Sequence, residues 1–440
     1  MRRILFCVCL ICLLACCKDD GVPTMDDVSL GQVTVSLTGL EGDVQDYDVT
    51  LRNTQTGSIF TAKTDDTGKA SFTTTPGIYE ASATGHYADE GIAYSYNGTA
   101  GQIVIRRGET VNIIITMKGI VRSQVIIKEL YNGGCLADDG TTKYQFDKYV
   151  ILYNNSSQSA SLSNLCFGFL TPYNAQSNNN NYNAEGRLTY ETENFTPVLD
   201  GIWYFPSTLV IEPYAQVVVN IHGAIDNSQS YSQSVNFANP DYYCMYDPES
   251  GYINSKYYPT PSGVIPSNHY LKAFRWSQSN AWPLSVTSPA LLLFQTQGVS
   301  PADYASQVDN IWYDGGEVKQ TKQCLKIPNQ WIVDAIEVFS SGYKDSSVKR
   351  LTADIDAGYV WLTNYQGHSL YRSVDQTATE ALPENEGKLV YGYSLGVDGS
   401  KDPSGIDAEA SIRNGAHIVY QDTNNSINDF HERQICSLRK

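Results

Sequence analysis

The chain has 440 residues, 42% of them hydrophobic and 18% charged, and carries a formal net charge of −17. That balance excludes a disordered chain. A pI near 4.7 also argues against nucleic acid and against a basic patch for anionic lipid headgroups. The length predicts two or three domains. The 31 tyrosines, with abundant Asn, Ser, Thr and Gly, favour strands, turns and long polar loops over helices.

At the start of the chain, Arg2 and Arg3 precede an apolar run from Ile4 to Leu14. Such a run, about eleven residues, is too short to cross roughly 30 Å of hydrocarbon, so it reads as a signal peptide. Leu13-Leu14-Ala15-Cys16 fits a lipobox. Residues 1–15 are therefore expected to be cleaved, leaving Cys16 diacylated and residues 16–28 as an anchor linker. Cys17-Lys18-Asp19-Asp20 resembles the lipoprotein export signal of Bacteroidetes. That resemblance implies that Lys18, Asp19 and Asp20 direct display on the outer surface of the outer membrane. Cys7, Cys9 and Cys12 leave with the signal. The remaining Cys17, Cys135, Cys166, Cys244, Cys324 and Cys436 contain no C-x-x-C pair, which argues against a zinc or redox motif. Disulfides and buried thiols both stay open for them.

Over residues 29–120 the pattern is strand, turn, strand. Val33, Val35 and Leu37 alternate with polar residues, Val49 and Leu51 do the same, Ile59 follows, and Val111 to Met117 closes the unit. Period-two alternation broken by Gly and Asp turns is the pattern of a sandwich. Gly68 suits a left-handed turn position, and Phe72 and Tyr79 are expected in the core. Thr56-Gly57, Thr64-Asp65-Asp66-Thr67-Gly68-Lys69-Ala70-Ser71-Phe72 and Pro76-Gly77-Ile78-Tyr79 resemble the carboxypeptidase regulatory-like family. The resemblance implies a seven-strand transthyretin-like sandwich acting as a spacer or docking module.

From 121 to 440 a larger β region is expected. Val125-Ile126-Ile127, Tyr149-Val150-Ile151-Leu152-Tyr153 and Val217-Val218-Val219 read as buried strands. Lys128-Glu129-Leu130-Tyr131-Asn132-Gly133, Tyr149 to Asn155, Leu209-Val210-Ile211-Glu212-Pro213 and Gly367-His368-Ser369-Leu370-Tyr371-Arg372 resemble a lamin-tail-type, immunoglobulin-like domain. Ile151 stands where that family tends to have an acidic residue. The expected fold class is thus all-β: the small sandwich, then a larger immunoglobulin/lamin-tail-like sandwich with long loop insertions near 171–200 and 223–300. Loops of that length are usually functional or disordered. Residues 121–440 also resemble a family of Bacteroidetes lipoproteins of unknown function. The similarity rests on Ile327-Pro328-Asn329-Gln330-Trp331-Ile332-Val333-Asp334-Ala335, Lys349-Arg350-Leu351, Asp356-Ala357-Gly358-Tyr359, Gln421 to Ser426 and Asn428-Asp429-Phe430. It implies a companion of TonB-dependent transporters.

Catalytic motifs are sparse. Gly367-His368-Ser369-Leu370-Tyr371 lacks the second glycine of a nucleophile elbow. No second histidine follows His431-Glu432 at zincin spacing. Asp354 and Asp356 offer alternating carboxylates for calcium, with a strand end and turn as the alternative; no other cofactor is expected. The main ligand candidates are the aromatic residues Tyr242, Tyr243, Tyr246, Tyr252, Tyr257, Tyr258 and Tyr270, with Trp276 and Trp282, which serve either binding or packing. The leading expectation is a non-enzymatic surface lipoprotein assisting a TonB-dependent transporter, with a peptide, glycan or metal chelate as ligand. An adhesion or structural protein, and a hydrolase with an unmarked carboxylate site, are the alternatives.

Overall fold

The computed structural model describes residues 30–40, 42–89, 92–121 and 123–439. The lipobox Cys16 and the export residues Lys18, Asp19 and Asp20 lie outside the described residues. The protein is all-β, with only short helices.

The first unit follows from its alternation. Gly31–Thr38 pairs with Lys69–Thr74 on one side and, in parallel, with Thr110–Thr116 on the other. A second sheet runs in the order Ile59–Lys63, Asp48–Asn53, Gly77–Asp89, Ile92–Ile105, Lys118–Val121. The inward residues Val33, Val35, Val49, Leu51, Phe72, Tyr79 and Ile115 meet in one core. Seven strands were expected from the resemblance. The eighth, Lys118–Val121, extends the second sheet before the chain moves on.

The larger unit is built on a single sheet of twelve strands. Its order is 360–362, 332–340, 290–295, 165–169, 201–204, 270–275, 243–245, 216–220, 149–154, 125–131, 369–372 and 430–433. Every one of these strands sends a side chain into the same core, from Val360 and Ile336 through Phe167, Trp203, Leu271 and Met245 to Leu152, Ile127, Leu370 and Phe430. A sheet whose strands all reach one cluster must wrap around it, and this one nearly closes. Residues 223–300, expected as an inserted loop, instead contribute three of the twelve strands, Tyr243–Met245, Tyr270–Arg275 and Ala290–Gln295.

Where the sheet fails to close by backbone ladder, buried charged side chains bridge the gap. The Ile127 amide donates to Asp334 Oδ2 at 2.6 Å, and Arg372 Nε donates to the Ile127 carbonyl at 2.7 Å. The Arg372 guanidinium also pairs with Asp334 and stands 3.4 Å from Asp422 and 3.6 Å from Asp429. Burial pushes the Asp334 and Asp429 carboxyls above their ordinary range, against the pull of Arg372. Further along the seam, the Thr363 amide donates to Glu432 Oε1 at 2.7 Å.

The outer faces of the strands are covered as well, which is why Val125–Tyr131 and Tyr149–Asn154 are buried along their whole length. A second, three-stranded sheet lies over the outer face of 165–169 and 290–295. Its order is Phe195–Leu199, Gln323–Pro328, Ile311–Tyr313, and its Val198, Leu325 and Ile327 pack with Cys166, Leu292 and Phe294. Residues 171–200, expected as an insertion, thus end in one of these strands.

The first unit touches the second through Arg52, whose guanidinium bonds the Tyr359 hydroxyl and lies 5.0 Å from the Tyr359 ring and 5.5 Å from that of Trp361. Lys118 pairs with Asp354 at 3.5 Å.

Candidate functional site

Of the nine aromatic residues singled out in the sequence, none is exposed. Tyr252, Tyr258 and Trp282 sit in the main core, stacked around Trp203 and Phe169, so they are packing residues with no face open to a ligand. Trp282 Nε1 is satisfied by the Gly201 carbonyl at 3.1 Å. Tyr243, Tyr246 and Tyr257 pack against the same core, and Tyr242 against a neighbouring cluster. Tyr270 packs beside Tyr246. Trp276 lies under the three-stranded sheet, its Nε1 donating to the Gln323 carbonyl at 3.0 Å. The reason is the one that overturns the insertion: this stretch supplies strands, and its rings fill the space those strands enclose.

Asp354 and Asp356 do not converge on an ion. Asp354 faces Lys118. Asp356 is 1% exposed and uses both oxygens on protein donors: Oδ1 accepts from the amides of Gly358 (2.9 Å) and Ser426 (2.8 Å). Oδ2 accepts from the Glu337 amide (3.0 Å) and the Ser426 hydroxyl. Among the described residues no group of three His, Cys, Asp or Glu is placed to hold a metal. Buried titratable groups elsewhere are enclosed. Lys148, whose pKa burial lowers to about 7, donates to the Leu284 carbonyl at 2.5 Å. Lys128, lowered by burial to about 8, donates to Gln216 and stands 5.5 to 5.6 Å from the rings of Tyr153, Tyr371 and Tyr420.

The open site lies on the outer face of the three-stranded sheet. Register explains it: Leu325 and Ile327 point to the core, so the alternate residues Lys326 and Pro328 point outward. Phe195 stands opposite Pro328, and Trp312 is paired one strand further over. These residues, with Thr189, Glu193, Asn194, Tyr304 and Asn310, line an open groove of about 530 Å³. Two aromatic contacts fix the wall, Tyr190 edge-on to Trp312 at 5.7 Å and Phe195 to Trp312 at 6.1 Å. Tyr304 comes from the helix Pro301–Ser306, capped by Ser300, whose hydroxyl accepts the Asp303 amide at 3.1 Å. Its own hydroxyl donates to the Lys326 carbonyl at 2.7 Å, and burial pushes its pKa up to about 12.

The polar groups here divide into committed and free. Asn310 Nδ2 is held by the Tyr304 carbonyl at 2.9 Å. The side chains of Glu193, Asn194 and Lys326 have no hydrogen-bond or ion-pair partner among the described residues. One anion, one cation and one amide are thus left uncommitted beside the half-buried rings of Trp312 and Tyr304. Such a mixture recognises a polar ligand with both donors and acceptors. Apart from Pro328, which belongs to the stretch quoted for the family resemblance, none of these groove residues stood out in the sequence, because they come from three separate segments and share no spacing. The only local signal is the Cys324, Lys326, Pro328 alternation opposite the Leu325, Ile327 face.

The fold and groove define a protein of the all-β class with an open surface site. Residues 212–392 match the model of a family described as a protein of unknown function, DUF4876. No curated protein matches the chain. Among solved structures, the chain is similar to the crystal structure of a DUF4876 family protein from Bacteroides thetaiotaomicron VPI-5482. The identity is 20%, the match covers 93% of this chain and 96% of that one, and the TM-score is 0.52. At that identity the likeness speaks for the fold alone.

Proposed function

We propose that this chain is a lipid-anchored, surface-exposed, non-enzymatic binding protein that serves a TonB-dependent outer-membrane transporter, and that the groove over the three-stranded sheet holds its ligand, a glycan. The observation that carries this reading is the uncommitted set Glu193, Asn194 and Lys326 beside the half-buried rings of Trp312 and Tyr304 in one open groove. Sugar hydroxyls both donate and accept, and amide, carboxylate and ammonium groups answer both roles, while ring faces cover the apolar C–H surface of the pyranose. Of the peptide, glycan and metal-chelate ligands open from the sequence, the glycan fits this lining best.

Calorimetric titration with oligosaccharides tests the ligand. Trp312→Ala is expected to weaken binding at least about tenfold, equivalent to about 1.4 kcal/mol; unaltered affinity would remove the groove from the account. Pull-down from detergent-solubilised outer membranes tests the partner. Recovery of a barrel transporter at near-equal amounts supports the accessory role, while purification alone with coating of cells or matrix favours adhesion. Cys16→Ala tests the anchor, with release into the soluble fraction expected and continued membrane retention against it.

A further inference from the structure

A second groove adjoins the first. It is lined by Lys118, Gly119, Asn194, Asn329, Gln330, Asp354 and Ile355 and encloses about 430 Å³. Asn194 lines both grooves, and the chain passes from the first into the second between Pro328 and Asn329. Where the grooves meet, the Asn329 amide donates to the Asn194 carbonyl at 3.1 Å. Asn194 holds φ +55°, a left-handed conformation that few residues besides glycine adopt readily, although asparagine is among the more tolerant.

The two grooves differ in chemistry. The first has rings and uncommitted charges. In the second, Lys118 and Asp354 neutralise each other at 3.5 Å, and what remains is amide. Asn329 Oδ1 accepts the Thr196 hydroxyl at 3.0 Å, leaving its amide nitrogen uncommitted, and the Gln330 side chain is exposed without a partner. Lys118 and Gly119 belong to the first unit, on the extra strand Lys118–Val121, so one wall of this groove is supplied across the junction between units.

We infer that the two grooves act as one trough for a linear glycan of several units, which enters beside Trp312, crosses Asn194 and ends against Lys118 and Gln330. This rests on the glycan reading above and adds that the ligand is an unbranched oligomer at this crossing and that the first sandwich is part of the binding site. Each groove falls within the roughly 300–1,000 Å³ of small-ligand sites, and a chain spanning both gains contacts without ordering a second molecule.

The test is calorimetry on the full chain with malto-, xylo- and manno-oligosaccharides, each series running from disaccharide to octasaccharide. Affinity is expected to rise with length by about tenfold or more in the series that binds. Gln330→Ala, and Lys118→Ala with Gln330→Ala, should flatten that rise while leaving the shortest binding sugar within about twofold of the native value. Both positions are exposed, and thermal melts of the variants serve as the check that the fold is intact. Affinity independent of length, or a native length profile in both variants, overturns the trough and leaves the first groove standing. Failure of every series to bind overturns the glycan reading and the trough together.

Discussion

Arg350 Nη2 lies 2.6 Å from Glu337 Oε1, and neither side chain has exposed surface. The carboxylate also accepts the Arg350 amide at 2.9 Å and the Leu351 amide at 2.8 Å, so it organises the turn that carries its own partner. Removing one member of such a pair strands the other charge away from water. Glu337→Gln should therefore lower unfolding free energy by about 3–5 kcal/mol. A urea denaturation midpoint equal to that of the native protein would sink this account.

Asp356 already accepts four hydrogen bonds from protein donors, so a cation would have to displace them. Neither millimolar calcium nor a chelator should move the melting temperature. A rise with calcium that Asp356→Asn abolishes would restore the ion site suggested by the Asp354, Asp356 spacing.

His431 is 2% exposed, with Nδ1 3.2 Å from the Ser373 hydroxyl and Nε2 2.7 Å from that of Tyr393. Burial, helped by Arg433, lowers its pKa from 6.5 to about 3. Between those values the unfolded chain holds a proton that the folded one lacks, so this group's contribution falls as pH drops from 6.5 toward 3. Buried acids such as Asp147, raised by burial to about 6, work in the opposite direction. The measurement is therefore the difference between native and His431→Gln proteins at pH 4 to 6. The variant should lose about 1.4 kcal/mol per pH unit of slope; equal slopes would rule out the buried neutral imidazole.

Cys135, Cys166, Cys244, Cys324 and Cys436 are all free and buried, and burial pushes the thiols of Cys135, Cys244 and Cys436 up to about 12. Thiolate is the reactive form, so these five should resist an aromatic disulfide reagent until the protein unfolds. A reductant should leave the melting curve unchanged. Rapid modification of any of the five in the native state would show that its cover opens.

Gly68 has φ +71° in a turn held by Asp65 Oδ1, which accepts the Thr67 and Lys69 amides at 2.9 and 3.0 Å. An alanine there would carry the left-handed cost of about 1–2 kcal/mol and bring its Cβ to 3.4 Å from Val44. Gly68→Ala should lower stability by that amount in a thermal or urea melt, and an equally stable variant would contradict the turn geometry.

The first sandwich was largely legible in the sequence because its signals are local. Val33, Val35 and Leu37 alternate with polar neighbours, and all three are buried. Phe72 and Tyr79 are inside, and the Asp65 to Lys69 turn is where the Gly and Asp residues indicated. The strands Val125–Tyr131 and Tyr149–Asn154 were also legible as apolar runs, though not what covers each face. The tyrosines of 242–270 show the limit. A ring reads the same in sequence whether it fills a core or faces water, and only neighbouring strands decide.

The sequence by itself determined the all-β character, the inward alternation of Val33, Val35, Val49 and Leu51 in the first unit and the turn at Gly68. Those depend on side chains two residues apart and on backbone angles at single positions. The tertiary structure alone decided that twelve strands wrap one core, that Arg372 joins Asp334 across the unclosed seam, and that Glu193, Trp312 and Lys326 meet in a groove. Each of those contacts joins chain segments far apart in sequence, and such approach is set by how whole sheets cover one another, which no local pattern records.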